Sequence, residues 1–449
     1  MKAEKTGGET TRQTHSSKSN DCDSADVEAR GCAVERQCGA CQHLSVSYSE
    51  QLRRKEERIA ELFREVADRA CLLPIKGMEN PYHYRNKVVS PYARGKKLPS
   101  KGGRNTSGAY GARGGKGKHG VRQGGGRASR AEGARYEILC GMYAAGTHRI
   151  VPTDECLIEN EEAKRIILAV RGLMPKFGLT PYDEDTGSGF LRHAVVRVGH
   201  TSGEILVTLV TNGREFPGSR AFCRELVRRC PGITTVAQVV NTRFTNVIMG
   251  EEEHALYGPG FILDRLCGLS FRISPRSFYQ VNASQTEVLY HRALELAAFS
   301  GDEHVIDAYC GTGTIGLVAA KNGAAHVVGV DSVPSAIHDA RANARHNGVD
   351  NASFVEADAG AFMRELASAG EQVQVVLMDP PRAGASEEFL AALAELAPER
   401  VIYISCNPET QVRDIRRLLQ RGYAVSAVQP VDMFPHTDHI EVIVKLCYR

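Results

Sequence analysis

Two hydrophobic patterns divide the sequence. Between residues 136 and 275, short apolar runs such as 194–198 and 205–210 recur with turn residues between them, which is typical of β-strands. From residue 277 onward, apolar strands alternate with helical segments, which is typical of a parallel sheet covered by helices on both faces. The sequence therefore predicts a mostly β central domain with one or two helices, followed by an α/β domain.

Acidic residues end several strands of the predicted α/β domain. The first strand runs into a glycine-rich turn at 307–316, whose glycines let the backbone approach a nucleotide-like ligand. The second strand ends in Asp331, where a carboxylate can accept hydrogen bonds from ribose hydroxyls. The third leads to Asp358, which we expect to reach an adenine, and the fourth ends in Asp379. The glycine turn alone is also compatible with NAD as the cofactor. The acidic residues at the later strand ends favour S-adenosylmethionine as the cofactor.

Cys406 lies directly after an apolar run, 401–404, that predicts a buried strand. Asn407 and Pro408 end that strand, because proline cannot continue a ladder. A thiol at such a position can act as a nucleophile, although a cysteine that only packs is the alternative. Glu441 stands near the start of the last predicted strand, with a solvated charge as its alternative. We expect the thiol, the methyl donor and this carboxylate to meet at one end of the sheet.

These three components match the methylation of carbon 5 of uracil. If a thiolate adds to carbon 6, an enolate forms and carbon 5 can attack a sulfonium methyl group. A base must then remove the carbon 5 proton so that the thiolate is expelled. In RNA the uracil would be flipped out or already unpaired. An aromatic residue after Asp379-Pro-Pro would indicate methylation of exocyclic amines, but Arg382 stands there.

Cysteines near the start of the chain predict a metal centre. The chain has thirteen cysteines and no export signal, which favours reduced thiols used for metal binding or catalysis. Cys32, Cys38 and Cys41 can wrap one metal, but zinc or an iron–sulfur cluster takes four ligands. We favour Cys156 as the fourth, with Cys140 and Cys71 as rivals. Zinc is an alternative metal, and the spacing differs from that of radical S-adenosylmethionine enzymes.

Positive charge is concentrated in one segment. The net charge is +3, but residues 94–135 hold five Lys and seven Arg against one Glu, so the rest of the chain is negative. This glycine-rich segment predicts a flexible insertion between two strands that attracts a nucleic-acid backbone, with an inert spacer as the alternative. Aromatic and basic residues interleave at 80–89, which suits either base stacking or a surface strand.

The remaining segments contain no candidate catalytic or ligand-binding residues. Residues 48–70 predict an amphipathic helix with a solvated face and an apolar repeat of Leu52, Ile59 and Leu62. The polar first thirty residues lack the apolar core of a secretory signal, and no apolar run reaches the length of a membrane span. We therefore expect a cytoplasmic protein with a disordered tail, no membrane association and no stable protein partner.

Taken together, the motifs resemble those of the RNA uracil-5-methyltransferase family, particularly its iron–sulfur-containing ribosomal RNA branch. The resemblance covers roughly residues 32–446. It rests on the cysteine motif at 32–41, the Ser-Phe-Tyr-Gln-Val-Asn run at 277–282, the glycine turn, Asp-Pro-Pro-Arg at 379–382, Ser-Cys-Asn-Pro at 405–408 and His-Ile-Glu at 439–441.

This resemblance implies roles for individual residues. Cys406 would be the nucleophile and Glu441 the proton acceptor. The S-adenosylmethionine site would be lined by Gln280, Tyr309, Asp331 and Asp379. A [4Fe-4S] cluster would be held by Cys32, Cys38, Cys41 and Cys156. The expected architecture is a disordered tail at 1–31, an iron–sulfur and β-rich RNA-binding domain at 32–275, and a Rossmann-like methyltransferase domain at 276–449.

The resemblance also implies an RNA partner, most specifically 23S ribosomal RNA. Transfer RNA is the alternative substrate, and an RNA-binding ribosome-assembly factor with a vestigial methyl site is the alternative function. Two features depart from the family pattern. Many members carry an RNA-binding β-barrel at the N-terminus, for which the basic insertion at 94–135 is a hypothetical substitute. Asp331 is commonly glutamate in the family, a conservative change for ribose binding.

Overall fold

The computed structural model describes residues 29–98 and 136–449. Most of the predicted disordered tail, and all of the basic insertion beyond residue 98, lie outside the described residues. The described chain begins with a short helix, α1 (Glu35–Cys38), and a long helix, α2 (Tyr48–Phe63).

The central domain contains a seven-stranded sheet in the order β3-β2-β1-β4-β5-β6-β7. Its apolar side chains pack against two helices in one hydrophobic core, in agreement with the predicted mostly β domain. Lys97 on β1 pairs with Tyr136 on β2, so the basic insertion joins two neighbouring strands as predicted. The elements are β1 (Lys87–Lys97), β2 (Tyr136–Tyr143), β3 (Ile150–Pro152), α3 (Glu161–Leu173), β4 (Leu191–Val198), β5 (Ile205–Thr211), α4 (Ser219–Arg229), β6 (Ile233–Val240) and β7 (Glu252–Tyr257).

A hairpin of β8 (Ile262–Leu266) and β9 (Leu269–Ile273) follows the central sheet. Its apolar residues lie in the same hydrophobic core as residues of the C-terminal sheet. The hairpin therefore packs with residues beyond the predicted boundary at 275, and that boundary remains a prediction.

The C-terminal domain is an α/β sheet in the order β12-β11-β10-β13-β14-β16-β15. The strands from β10 to β14 pair in parallel, as predicted. Its elements are α5 (Ala283–Ala297), β10 (His304–Ala308), α6 (Thr314–Lys321), β11 (His326–Asp331), α7 (Pro334–Asn347), β12 (Ala352–Glu356), α8 (Ala359–Ala369), β13 (Val375–Met378), α9 (Glu387–Leu396), β14 (Arg400–Ser405), α10 (Pro408–Leu419), β15 (Tyr423–Val431) and β16 (Glu441–Tyr448).

The last strand corrects the prediction of a wholly parallel sheet. β16 is antiparallel to both of its neighbours, β14 and β15. A parallel return requires a crossover connection, usually through a helix. Residues 432–440 contain no helix, so the chain turns back after β15 and inserts β16 in the opposite direction.

The helix α2 also differs from its prediction. Its buried residues are Tyr48, Gln51, Lys55, Ile59 and Phe63, whereas Leu52 and Leu62 are only partly buried. Ile59 and Phe63 join the core on one face of the C-terminal sheet. The helix is therefore packed against the C-terminal domain, and two of its polar residues face the interior because they have partners there.

Tyr82 and Tyr84 do not serve the base stacking considered for residues 80–89. Both rings are buried. Tyr82 stacks on His436 with ring centroids 4.9 Å apart, and the Tyr84 hydroxyl donates a hydrogen bond of 3.1 Å to the carbonyl oxygen of Pro435. These aromatic residues therefore connect the entry to β1 with the C-terminal domain.

Across residues 29–98 and 136–449, we find no helix with the length and apolar character of a bilayer-spanning segment.

Candidate active site

Cys406 lies at the carboxyl end of β14, in the turn that begins α10. The Ser405 hydroxyl holds this turn, since it accepts a hydrogen bond from the Asn407 amide and donates one to the Asn407 carbonyl, both at 3.1 Å. Pro408 is the first residue of α10, a position where its missing amide hydrogen costs nothing. The thiol is half-buried, so it is fixed by the turn yet open to a ligand.

Glu441 is the first residue of β16 and lies next to the thiol. Ser405 pairs with Val442 across the antiparallel ladder, which brings the start of β16 to the carboxyl end of β14. The Glu441 carboxyl is only 5% exposed. Burial and, after it, the nearby Asp379 carboxylate raise its pKa to about 8, although the Arg382 charge lowers it.

Asp379 follows the last residue of β13, the strand beside β14. Burial of its carboxyl group raises its pKa to about 7. Because Asp379 and Glu441 are close, ionisation of one carboxyl disfavours ionisation of the other.

Arg382 supplies a positive charge that the sequence analysis did not place in the site. Burial raises the pKa of the Cys406 thiol, and the carboxylates of Glu441 and Asp379 raise it further. Arg382 opposes them through its charge and a hydrogen bond to the thiol. The arginine is itself held by its main chain, because its carbonyl oxygen accepts hydrogen bonds from Asn407 and Thr410. The sequence feature that could have placed Arg382 in the site is its position directly after Asp379-Pro-Pro.

The predicted cofactor residues lie along the same edge of the sheet. Tyr309 follows β10, Asp331 ends β11 and Asp358 follows β12. Asp331 accepts hydrogen bonds of 2.9 Å from the amides of Gly311 and Val333, which orients its carboxylate over the glycine turn. Asp358 is exposed, and its Oδ1 accepts the Ala361 amide at the start of α8.

The glycine turn has the close approaches that a ligand cradle needs. Gly313 has a φ of +77°, and a Cβ there would lie 2.7 Å from the Phe354 ring. A Cβ on Gly316 would lie 2.6 Å from Asp307, which instead accepts the Gly316 amide at 2.9 Å. Side chains are therefore excluded at Gly313 and Gly316, which lets the turn pack closely against Phe354 and Asp307. The residues present fit the nucleoside part of S-adenosylmethionine.

Gln280 lies in the segment between β9 and α5. Asn86 donates a hydrogen bond of 3.1 Å to its carbonyl oxygen, and the buried Arg197 holds the adjacent Tyr279 carbonyl. The neighbouring Phe278 ring is 72% exposed. An exposed aromatic ring beside Gln280 offers a stacking surface for a nucleobase, a feature that the sequence analysis did not use.

The four predicted cluster ligands line one cavity of about 90 Å³, at the junction of α1, β1 and the loop after β3. Burial and, after it, the neighbouring thiols of Cys156, Cys38 and Cys32 raise the pKa of Cys41 to about 12. The rival Cys140 lies in the core against α3, and Cys71 lies against Val425. The cavity thus contains four thiols, the number and type of ligand that an iron–sulfur cluster requires.

The four thiols are not close enough together to coordinate one metal ion. Across the part of the chain that the structure describes, no three His, Cys, Asp or Glu side chains are arranged to hold a metal ion. The four cysteines therefore fit a cluster in number, chemical type and neighbourhood, but not in their present spacing.

Comparison with known proteins identifies the family. Residues 264–449 match the sequence profile described as tRNA (uracil-5-)-methyltransferase. An uncharacterized RNA methyltransferase of Halalkalibacterium halodurans is 39% identical over 417 residues, which cover 92% of this chain and 82% of the relative. One from Bacillus cereus is 38% identical over 414 residues, with the same coverage of both chains. The chain belongs to a family of RNA methyltransferases. It is an S-adenosylmethionine-dependent RNA methyltransferase.

A solved structure agrees with this methyltransferase fold. The tRNA (uracil-54, C5)-methyltransferase of Pyrococcus abyssi, in complex with S-adenosyl-L-homocysteine, is 26% identical with a TM-score of 0.66. The match covers 89% of this chain and 83% of that one. The similarity between this chain and the Pyrococcus abyssi enzyme therefore extends over both the central and the C-terminal domains.

Proposed function

We propose that this enzyme methylates carbon 5 of a uridine in RNA, with Cys406 as the nucleophile and Glu441 as the base. The observation that carries the proposal is the antiparallel insertion of β16, which brings the Glu441 carboxyl beside the Cys406 thiol at the cofactor edge. A thiol and a base within one pocket are the two protein groups that this reaction needs.

The reaction uses these groups in order. The Cys406 thiolate adds to carbon 6 of uracil, and the electron pair of the double bond makes carbon 5 nucleophilic. S-adenosylmethionine, when bound, supplies the methyl group as a sulfonium. After methylation the Glu441 carboxylate removes the carbon 5 proton. The released electrons restore the double bond and expel the Cys406 thiolate. Arg382 stabilises the thiolate at the start and the end, because its charge opposes the neighbouring carboxylates.

The cofactor contacts are proposed from the same edge of the sheet. Asp331 would bind the ribose hydroxyls, since a carboxylate at the end of the second strand suits them. Tyr309 and Asp358 would flank the adenine, while Gln280 and Asp379 would lie nearest the methyl group. Phe278 would stack on a base of the RNA.

The reaction should accelerate as the pH rises from 6 to 9. Glu441 acts only when ionised, and burial raises its pKa to about 8. The pKa of Cys406 is also raised, and the thiol acts only as the thiolate. Protonation at low pH removes both active forms. Because a carboxyl with a pKa of about 8 goes from about 1% to about 50% ionised between pH 6 and 8, we expect at least about a 50-fold gain in single-turnover rate over these two pH units. Rapid-quench measurement of labelled methyl transfer checks this, and a flat profile between pH 6 and 9 would contradict the assignments.

We further propose a [4Fe-4S] cluster on Cys32, Cys38, Cys41 and Cys156. The shared cavity supports this set, and Arg85 lines the same cavity, where a cation would offset the negative charge of the cluster. When bound, the cluster would supply cross-links between the segment at 32–41 and the loop after β3. This methyl transfer moves no net electrons, so the cluster's role would be structural.

Cys156 and Cys140 provide a matched test of the ligand set. Cys156→Ser should cut bound iron and sulfide by at least about fivefold, because serine is a poor cluster ligand. Cys140→Ser should leave the cluster content unchanged, since Cys140 lies outside the cavity. Iron and sulfide assays and visible absorbance on anaerobically purified protein give the readout. Loss of the cluster in the Cys140 variant alone would make Cys140 the fourth ligand instead of Cys156. Zinc in place of iron in both variants would show that the site holds zinc and not an iron–sulfur cluster.

The proposed substrate is 23S ribosomal RNA. It follows from the resemblance to the iron–sulfur ribosomal RNA branch. Transfer RNA is the second candidate, favoured by the family description and by the activity named for the Pyrococcus abyssi enzyme.

One experiment separates these substrates. The anaerobically purified enzyme is incubated with labelled S-adenosylmethionine and separate unmodified ribosomal and transfer RNAs, and any 5-methyluridine is mapped. Label in 23S RNA supports the proposal and identifies the nucleotide. Label in transfer RNA keeps the chemistry and changes the substrate. No label in either RNA, with cofactor bound, favours an RNA-binding assembly factor.

A further inference from the structure

Three residues on one face of α2 point into the loop at 432–440. Tyr48, Gln51 and Lys55 are spaced three and four residues apart, so they share a helix face. All three are buried, although two of them are polar or charged. The loop they contact is the connection that leads directly into Glu441. A buried polar face on this helix therefore has its partners next to the active site.

The Lys55 ammonium forms polar contacts with both ends of this loop. Its Nζ forms an ion pair of 2.7 Å with Asp432, the first residue of the loop. The same ammonium donates hydrogen bonds to the carbonyl oxygens of Phe434 at 3.3 Å and His439 at 3.0 Å. An ammonium has three donors, and here each of them contacts the loop. His439 precedes Glu441 by two residues.

Tyr48 and Gln51 extend the same attachment. The Tyr48 hydroxyl donates to the second oxygen of Asp432 at 2.9 Å and accepts the Met78 amide. The Gln51 side chain accepts the His436 amide at 3.0 Å and donates to the carbonyl oxygen of His43. The loop is thus held at its start, middle and end by one helix.

The attachment continues to the cysteine cavity. The amides of Gln42 and His43, which directly follow Cys41, both donate to the carbonyl oxygen of His436, at 2.9 and 3.1 Å. His43 also contacts the Asp438 carboxylate at 2.7 Å. A continuous set of contacts therefore runs from the third cysteine, through residues 42–55, to the loop before Glu441.

We propose that residues 42–43 and the buried face of Tyr48, Gln51 and Lys55 form a clamp that positions Glu441, with Lys55 as the principal positioning residue. The proposal rests on the proposed function of Glu441 as the base. Cys406 follows a different strand, β14, so loosening the clamp displaces the base while the nucleophile stays in place. The first half of the reaction then proceeds, but removal of the carbon 5 proton slows. The methylated RNA remains bonded to Cys406 for longer.

Lys55→Met tests this inference. We expect release of methylated RNA to slow by about 100-fold, the scale of a misplacement of 1 Å, while the covalent RNA–protein complex accumulates. Single-turnover reactions resolved on denaturing gels measure both quantities. Simple destabilisation would instead lower the covalent complex and the released product together.

Two further variants distinguish a loss of positioning from a folding defect. Lys55→Met leaves Asp432 buried without its cation, so the double variant Lys55→Met with Asp432→Asn removes both charges. It should fold and still accumulate the covalent complex. Arg54→Met, which removes an exposed cation from the same helix, should behave as wild type. If the double variant loses complex and product equally, Lys55 is only structural and the proposal is overturned.

Glu441→Gln serves as the benchmark for the proposed base. If it accumulates the complex and the double variant does not, the clamp fails and the proposed function stands. If Glu441→Gln itself turns over normally, the base assignment fails instead.

Hydrogen exchange on the wild-type protein tests the link to the cysteine cavity without any variant. Amides at 433–440 should exchange at least about threefold faster after an iron chelator strips the protein, with iron content assayed in parallel. Unchanged exchange after measured iron loss would overturn the link.

Discussion

Cys406→Ala should abolish methyl transfer, with a loss of at least about 10⁴-fold, because removing a catalytic nucleophile costs this much or more. Without addition of the thiolate to carbon 6, carbon 5 of uracil has no electron density to attack the methyl group. RNA affinity should stay within about twofold, since the variant removes only one sulfur atom from a half-buried turn. Labelled methyl incorporation and filter binding measure the two quantities on the same preparation.

Cys447→Ala is the matched control for this loss. Cys447 lies at the far end of β16 and is half-buried like Cys406, but it contacts Ser426 rather than the site. Its variant should retain full activity. Methyl transfer that survives in Cys406→Ala would rule out the covalent mechanism.

Glu441→Gln should trap the methylated intermediate. An amide has nearly the shape of the carboxylate but cannot accept the carbon 5 proton, so Cys406 is not expelled. Turnover should fall by about 10³-fold, within the usual range for a lost general base. A covalent RNA–protein band that appears on denaturing gels only with S-adenosylmethionine, and carries its methyl label, is the expected signature.

This variant should fold normally, because a neutral amide removes the repulsion between the buried Glu441 carboxylate and Asp379. Thermal unfolding checks this point. Glu387→Gln, which changes an exposed carboxylate paired with Arg421, is the matched control and should leave turnover unchanged. Normal turnover without a trapped band in Glu441→Gln would assign the base to another residue.

Local patterns were sufficient for much of the C-terminal domain. The glycine turn, the acidic strand ends and the cysteine after an apolar strand each depend on residues that are adjacent in sequence. The strands and helices that they predicted are present, and four of the cofactor candidates lie at or just after the carboxyl ends of strands, namely Tyr309, Asp331, Asp358 and Asp379. This success has a simple cause, since parallel strands joined by helices present their carboxyl ends on the same side.

The α2 helix shows where local patterns fail. Lys55 and Gln51 are polar residues on a helix for which the sequence predicts a solvated face. They are buried because their partners, Asp432 and His436, come from 377 and 385 residues further along the chain. A charged residue is rarely buried without a partner, and hydrophobic periodicity cannot reveal a partner at that separation.

The choice among the cysteines depended on which side of a strand each thiol occupies. Cys140 and Cys156 are both plausible from spacing. Cys140 points into the core between β2 and α3, whereas Cys156 lies in the loop that closes the cavity. The sequence already favoured Cys156, and the folded arrangement adds the location of each thiol, because strand pairing and helix packing determine it.

The sequence by itself determined the chemical groups of this protein: a thiol after a buried strand, a glycine turn, and a carboxylate at the start of the last strand. The sequence also led us to expect that these groups meet, but only the tertiary structure shows the antiparallel strand that brings the carboxylate to the thiol. Had β16 run parallel to β14, Glu441 would lie at the opposite edge of the sheet from Cys406. The helix-free connection at 432–440 reverses the strand, and the buried contacts of Lys55 hold that connection in place, because a charge removed from water is stable only beside its partners.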